Sequence, residues 1–165
     1  MVVDSGSVPN LVRMLASTEI SIVTPALRAL GNVVTGSDVQ TASVIESGGL
    51  PVICSLLSHA KSNVIKEAAW TISNITAGPQ EQIQAVLDNN CLPPLIEVLA
   101  HGDFKSKKES AWAITNLTSG NNDQLFLRAH LVLHRLHHST AHTTLWFLQL
   151  QLTFRSMTNY AYLLI

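Results

Sequence analysis

Three side-chain types recur in a fixed pattern: a carboxylate, an indole three residues later, and an amide four residues after that. They are Glu67, Trp70 and Asn74, then Glu109, Trp112 and Asn116. A looser copy precedes both, with Arg28 in the Trp place and Asn32 in the Asn place. An Asn side chain offers a carbonyl acceptor and an NH2 donor. That matches one peptide unit of an extended chain, so a row of Asn on one register can hold a peptide backbone without reading its side chains. Indoles between the rungs form walls along which the long stem of a Lys or Arg can lie. Their faces also attract the cation, by about 0.5–2 kcal/mol per contact. Carboxylates one turn earlier can meet the charged ends. The chemistry indicated is capture of an extended, Lys/Arg-rich peptide.

The elements that must position these groups follow from the spacing. Asn32, Asn74 and Asn116 are separated by two steps of 42 residues, and Gly36, Gly78 and Gly120 keep the same step. A fixed period of this length marks a stacked helical repeat. On a helix at ~100° per residue, Trp70 and Asn74 fall within about 60° of Glu67, while Ile65, Ala68, Ala69, Ile72 and Ile75 gather on the opposite side. The third copy divides the same way, with Ala111, Ile114 and Leu117 opposite the polar set. A helix with one apolar face for packing and one face for display is the expectation.

Each repeat breaks into three helices. Val2-Val3-Asp4, Val44-Ile45-Glu46 and Val86-Leu87-Asp88 align at the 42-residue step and belong to the first, which is incomplete in the opening repeat. Pro9, Pro51 and Pro93 share the step and suit the first turn of the second, where a missing N–H costs nothing. Leu11, Ile53 and Leu95 pair at i, i+4 with Leu15, Leu57 and Leu99 to give its apolar stripe. The third and longest is expected to begin near 17–19, 62–63 and 104–107. It should run to the glycines at 36, 78 and 120, read as residues just past a helix end with positive φ. Pro25 stands where Glu67 and Glu109 stand and predicts a kink or a late start. Three helices per 42 residues give an all-α, armadillo-type right-handed superhelical solenoid whose long helices line a concave groove.

Composition narrows the function further. Residues 1–123 hold seven Lys/Arg against all eleven Asp/Glu, a net charge of −4, whereas 124–165 hold three Arg, no acid and five of the seven His. A mildly acidic repeat region disfavours nucleic acid and suits a basic partner. No stretch reaches ~18 apolar residues and no export signal precedes the repeats, so no membrane association is expected. Cys54 and Cys91 are not at metal spacing and are read as reduced core thiols. No nucleophile–base set or phosphate loop stands in the repeats, so neither an enzyme nor a cofactor is expected.

The repeat phase fails after Leu127. Two regions follow: armadillo repeats over 1–127, about three with the first incomplete, and a His/Leu-rich non-repeat tail over 128–165. The tail carries His130, His134, His138 and His142 at i, i+4, which could chelate a transition metal on a helix. It has no carboxylate or Cys to complete such a site, and no functional metal is assigned. Leu148, Leu150, Leu152 and Phe154 alternate with polar residues in a strand pattern.

The run Thr24-Pro25-Ala26-Leu27-Arg28-Ala29-Leu30-Gly31-Asn32 with Val33-Val34-Thr35-Gly36, followed by two Lys-Glu-x-x-Trp-x-x-x-Asn segments, resembles importin-α (karyopherin-α). That family recognises nuclear localisation signals. The resemblance covers residues 1 to about 127. In that family an Arg interrupts the Trp–Asn array in the sixth armadillo repeat, and Arg28 stands in that place. The resemblance therefore implies repeats six to eight and the minor signal-binding site. By it, Trp70, Asn74, Trp112 and Asn116 bind the shorter basic cluster of a bipartite signal. Glu67 and Glu109 would contact its cations, and Asn32, Val34 and Thr35 would extend the site. It further implies residence in cytoplasm and nucleus. The basic segment that binds importin-β in that family is absent, so importin-β is not an expected partner. Two other readings stay open: a general armadillo interaction scaffold, and an inactive truncated product.

Overall fold

A computed structural model describes residues 6–118, and these form eight helices. In chain order they are α1 Ser7–Met14, α2 Ile20–Val33, α3 Asp38–Glu46, α4 Gly49–Leu56, α5 Ser62–Thr76, α6 Gln80–Asp88, α7 Leu92–His101 and α8 Phe104–Thr118. Helices α3–α5 and α6–α8 are complete three-helix repeats, and α1–α2 are the last two helices of the one before. The expected solenoid is therefore observed. The expected strand at 148–154 and the histidines at 130–142 lie outside the described residues.

Packing runs from each repeat to the next. The long helix α5 packs against α2 on one side and α8 on the other. Leu27 and Leu30 of α2, Ile72 and Ile75 of α5, and Ile114 and Leu117 of α8 are fully buried, as are Leu50, Ile53, Leu95 and Leu99 of the short helices. Ile72, Ile75, Ile114, Leu117, Ile53, Leu95 and Leu99 are residues the periodicity selected, whereas Leu11 and Ile65, also selected, are only partly buried. Burying a Leu or Ile side chain contributes about 1.5–3 kcal/mol, so this seam supplies most of the cohesion between repeats. Gln82 adds a polar tie, its Nε2 donating to the Asp38 carbonyl at 3.0 Å.

Three expectations are corrected. First, the left-handed position of the repeat is not at 36 and 78. It is at Gly6 (φ 66°), Gly48 (φ 74°) and Asn90 (φ 54°), which also stand 42 apart, between the first and second helices. Gly and Asn are the residues that take this conformation at least cost. At 36 and 78 the chain leaves the helix through short turns, Gly36 N–H donating to the Val33 carbonyl and Gly78 N–H to that of Ile75. Secondly, α2 starts at Ile20 and continues through Pro25 to Val33. One N–H is lost and the helix persists, because Val23, Ala26, Leu27 and Leu30 bury its inner face on both sides of the proline.

Thirdly, Cys54 and Cys91 are core residues as expected, but they are joined to each other in a disulfide. The bond links α4 to the residue before α7, with Cα atoms 5.4 Å apart, inside the usual range for a bridge. The separation of 37 is off the 42-residue step. Repeat alignment places the two cysteines at unrelated positions, and only the stacking of consecutive repeats brings them together.

Candidate functional site

The outer faces of α2, α5 and α8 enclose a groove of about 600 Å³. Arg28 and Asn32 line it from α2, Lys66, Glu67 and Trp70 from α5, and Phe104, Lys105, Lys108 and Glu109 from α8. The structure thus brings five of the sequence-selected residues into one hollow: Arg28, Asn32, Glu67, Trp70 and Glu109. Asn74, Trp112, Asn116, Val34 and Thr35 lie outside its lining. Trp112 stands on α8 with 39% of its surface exposed.

Trp70 is half-buried, and the reason lies across the seam. A Cβ at Gly31 would fall against the Trp70 ring, with Cε3 at 2.8 Å, and 3.0 Å from Thr71 Oγ1. The indole therefore rests directly on the backbone of α2, in space that only glycine leaves open. By the 42-residue step, Ser73 occupies the matching place in α5, where it is buried and donates its hydroxyl to the Trp70 carbonyl at 2.9 Å. Trp70 is half-buried in this arrangement, and Trp112 is the more exposed of the two indoles.

Glu67 departs from its expected role. The helical wheel places it on the display face, yet it is 4% exposed. Its Oε1 accepts from Arg28 Nη2 at 2.7 Å and from Lys66 Nζ at 2.8 Å. Burial pushes this carboxyl upward in pKa, but the hydrogen bonds and charges of Arg28 and Lys66 outweigh it and hold Glu67 below the ordinary glutamate value. The same contact raises Arg28. Glu109 is more open and pairs with Lys108 at 3.4 Å. The groove's carboxylates are thus occupied by cations of the chain itself, one of them reaching over from the neighbouring repeat.

The asparagines divide as well. Asn116 Nδ2 donates to the Ser73 carbonyl at 3.2 Å and to Thr76 Oγ1 at 3.4 Å, tying α8 to α5. One step earlier, Asn74 corresponds to Asn116, and Gly31 and Val34 correspond to Ser73 and Thr76. Val34 is buried and has no hydroxyl, and Asn74 Nδ2 is buried without a partner among the described residues. Asn32 is exposed at the groove. Thr35 turns its hydroxyl back to the Asn32 carbonyl at 2.7 Å.

Sequence reasoning missed Phe104, Lys105, Lys108 and Lys66 as groove residues. Phe104 is 81% exposed at the start of α8. That end is fixed by Asp103, whose Oδ1 accepts from the Ser106 N–H at 2.7 Å. This bond holds the Asp103 carboxyl below its usual range. A large apolar residue beside two lysines at a capped helix start is the signal that could have found this rim. With these residues included, the lining carries four cations and two carboxylates, the reverse of the balance in the repeats as a whole.

The model of the armadillo/beta-catenin-like repeat matches residues 1–35, 37–77 and 79–119. Importin subunit alpha-3 of Arabidopsis thaliana is 47% identical over 43 residues, which are 26% of this chain and 8% of that protein. Importin subunit alpha-1b of Oryza sativa subsp. japonica is 50% identical over a stretch of the same length and share. Among solved structures, a designed armadillo repeat protein in complex with the peptide (KR)4 superposes with a TM-score of 0.81 at 30% identity, covering 92% of this chain and 66% of that one. Computationally designed armadillo repeat proteins for modular peptide recognition superpose with a TM-score of 0.82 at 27% identity, with the same coverage.

Proposed function

Because the chain belongs to the armadillo/beta-catenin-like repeat family, we propose that it is a peptide-binding module. Its ligand is an extended Lys/Arg-rich segment of the nuclear localisation type, held as in the minor site of a nuclear import adaptor. The observation that carries this reading is the single hollow that the Trp70 indole lines together with Asn32 and the Glu67 and Glu109 carboxylates. A basic side chain laid on Trp70 exchanges with Arg28 or Lys66 at Glu67, cation for cation, so the buried carboxylate stays paired throughout. The (KR)4 complex of the designed relative supports the same ligand class, and the importin-α relatives support its cellular context. The matched stretch is a small part of those relatives. One groove taken alone lacks the avidity of two linked sites, worth 10²–10⁴ in affinity.

Fluorescence anisotropy of a labelled Lys/Arg-rich peptide, titrated with the chain, tests the proposal. Saturation is expected in the tens of micromolar, roughly −6 kcal/mol. Trp70→Ala with Trp112→Ala should abolish it, and Trp112→Ala alone, at an exposed position, should weaken it without unfolding. Circular dichroism of each variant separates lost binding from lost fold. A helical, cooperatively melting chain that binds no basic peptide would sink the proposal.

A further inference from the structure

The charge inside the groove is not what a purely basic ligand needs. Glu67 is held by Arg28 and Lys66, and Glu109 by Lys108. No ion pair among the described residues holds Lys105. An incoming Lys or Arg must displace a cation at every carboxylate it reaches, and the displaced cation stays in the groove. An incoming anion has only the Lys108–Glu109 pair, 3.4 Å long and open to solvent, to compete with, and it leaves the Glu67 pairs intact. It finds Lys105 and Lys108 on the α8 rim, beside the four-fifths exposed ring of Phe104.

We propose that the groove takes a mixed-charge segment, in which a side chain bearing a carboxylate or a phosphate lodges against Lys105 and Lys108 beside the basic residues laid along Trp70. This rests on reading the groove as a peptide site. The spacing is set by the fold. Packed helices lie about 8–10 Å apart, and an extended peptide advances ~3.3 Å per residue. The anionic residue therefore belongs two to three positions from the basic residue seated on α5. Its charge neutralises the lysines of the rim and compensates the cation displaced from Glu67. Phe104 offers an apolar shelf for the stem of the residue between.

The test uses the whole chain and labelled peptides with one Lys/Arg cluster. Two or three positions beyond the cluster, on either side, stands Ser, Glu or phosphoserine. Glu should tighten binding about 3-fold over Ser, the yield of one or two exposed pairs. Phosphoserine, with nearly twice the charge, should tighten it about 10-fold. Both gains should shrink in 0.5 M salt. Lys105→Gln with Lys108→Gln should remove the gains and tighten the Ser peptide about 2-fold, since a repulsive pair has gone. A gain with phosphoserine alone identifies phosphate as the partner, and equal gains identify charge of either source. If the Ser peptide binds and neither anion improves it, or if the gain survives in the double variant, the mixed-charge inference is overturned and the basic-peptide reading stands. If no peptide binds the folded chain, both fall.

Discussion

Replacing Gly31 by Ala sets two effects of opposite sign against each other. Inside a helix, Ala is ordinarily better than Gly by about 0.5–1 kcal/mol. Gly31 is buried within α2, so propensity alone predicts a more stable protein. The new methyl, however, would stand 2.8 Å from Trp70 Cε3 and 3.0 Å from Thr71 Oγ1, where carbon atoms need roughly 3.5–4.0 Å. An indole cannot fold aside as a lysine tip can. Overpacking of this kind costs about 1–3 kcal/mol. The net expectation is a loss of roughly 1 kcal/mol, a fall in Tm of about 3–5 °C, with Trp70 lifted toward the groove. Thermal and urea melts by circular dichroism measure the loss. A red shift of Trp70 emission, read with Trp112 and Trp146 replaced by Phe, measures the displacement. The decisive control is Trp70→Ala. With the ring gone, the methyl has room, and Gly31→Ala should become stabilising by about 0.5–1 kcal/mol. If Gly31→Ala raises Tm in the otherwise unchanged chain, the ring does not rest on that backbone and the account of the groove wall is wrong.

Val34→Thr places a hydroxyl where Thr76 serves Asn116 and should stabilise by about 0.5–1 kcal/mol. The gain should vanish in an Asn74→Ala background, and its persistence there would discount the amide as partner. Glu67→Gln removes two ion pairs from a buried carboxylate. Arg28 and Lys66 can turn to water, so the cost is about 1–2 kcal/mol rather than that of a fully buried pair. Since the folded-state pKa of Glu67 is depressed, its stabilisation is complete above the ordinary glutamate value of ~4.3 and is lost as pH falls through the folded value. Melts between pH 6 and 3, spanning that window, should show a steeper acid loss in the unchanged chain than in Glu67→Gln; parallel curves would deny the pairing. Cys54→Ser, or dithiothreitol, opens a closed loop spanning 37 residues and should cost about 3–4 kcal/mol. A melting temperature indifferent to reductant would show that the bridge contributes nothing.

The period and its phase were legible because stacking demands one apolar face from every unit. Ile72, Ile114 and Leu99 could be placed in the core without knowing what lay opposite them. Glu67 could not be placed, since a helical wheel assigns a face but not the neighbour across it. Arg28 reaches Glu67 from 39 residues away and closes over it. The basic rim was hidden for the same reason. Lys105 and Lys108 stand on the surface of α8, and only the juxtaposition with α5 turns that surface into a wall. The cysteines escaped because a periodic reading compares equivalent positions, and theirs are not equivalent. Asn90 differs in type from Gly6 and Gly48, and only its φ shows it to be their counterpart.

Apart from the Arg28–Glu67 pair and the disulfide, three contacts that fasten one repeat to the one before share a direction. Asn116 donates to Ser73 and Gln82 to Asp38, while Trp70 settles on Gly31. In each, the later segment supplies the reaching side chain and the earlier one the backbone that receives it. A ribosome delivers the chain in that order. Every receiving backbone has emerged before its side chain is made, and an isolated repeat need never wait for a distant partner. Assembly of this solenoid can thus proceed as a ratchet that advances one unit at a time with translation, each click secured by a residue not yet synthesised at the previous one.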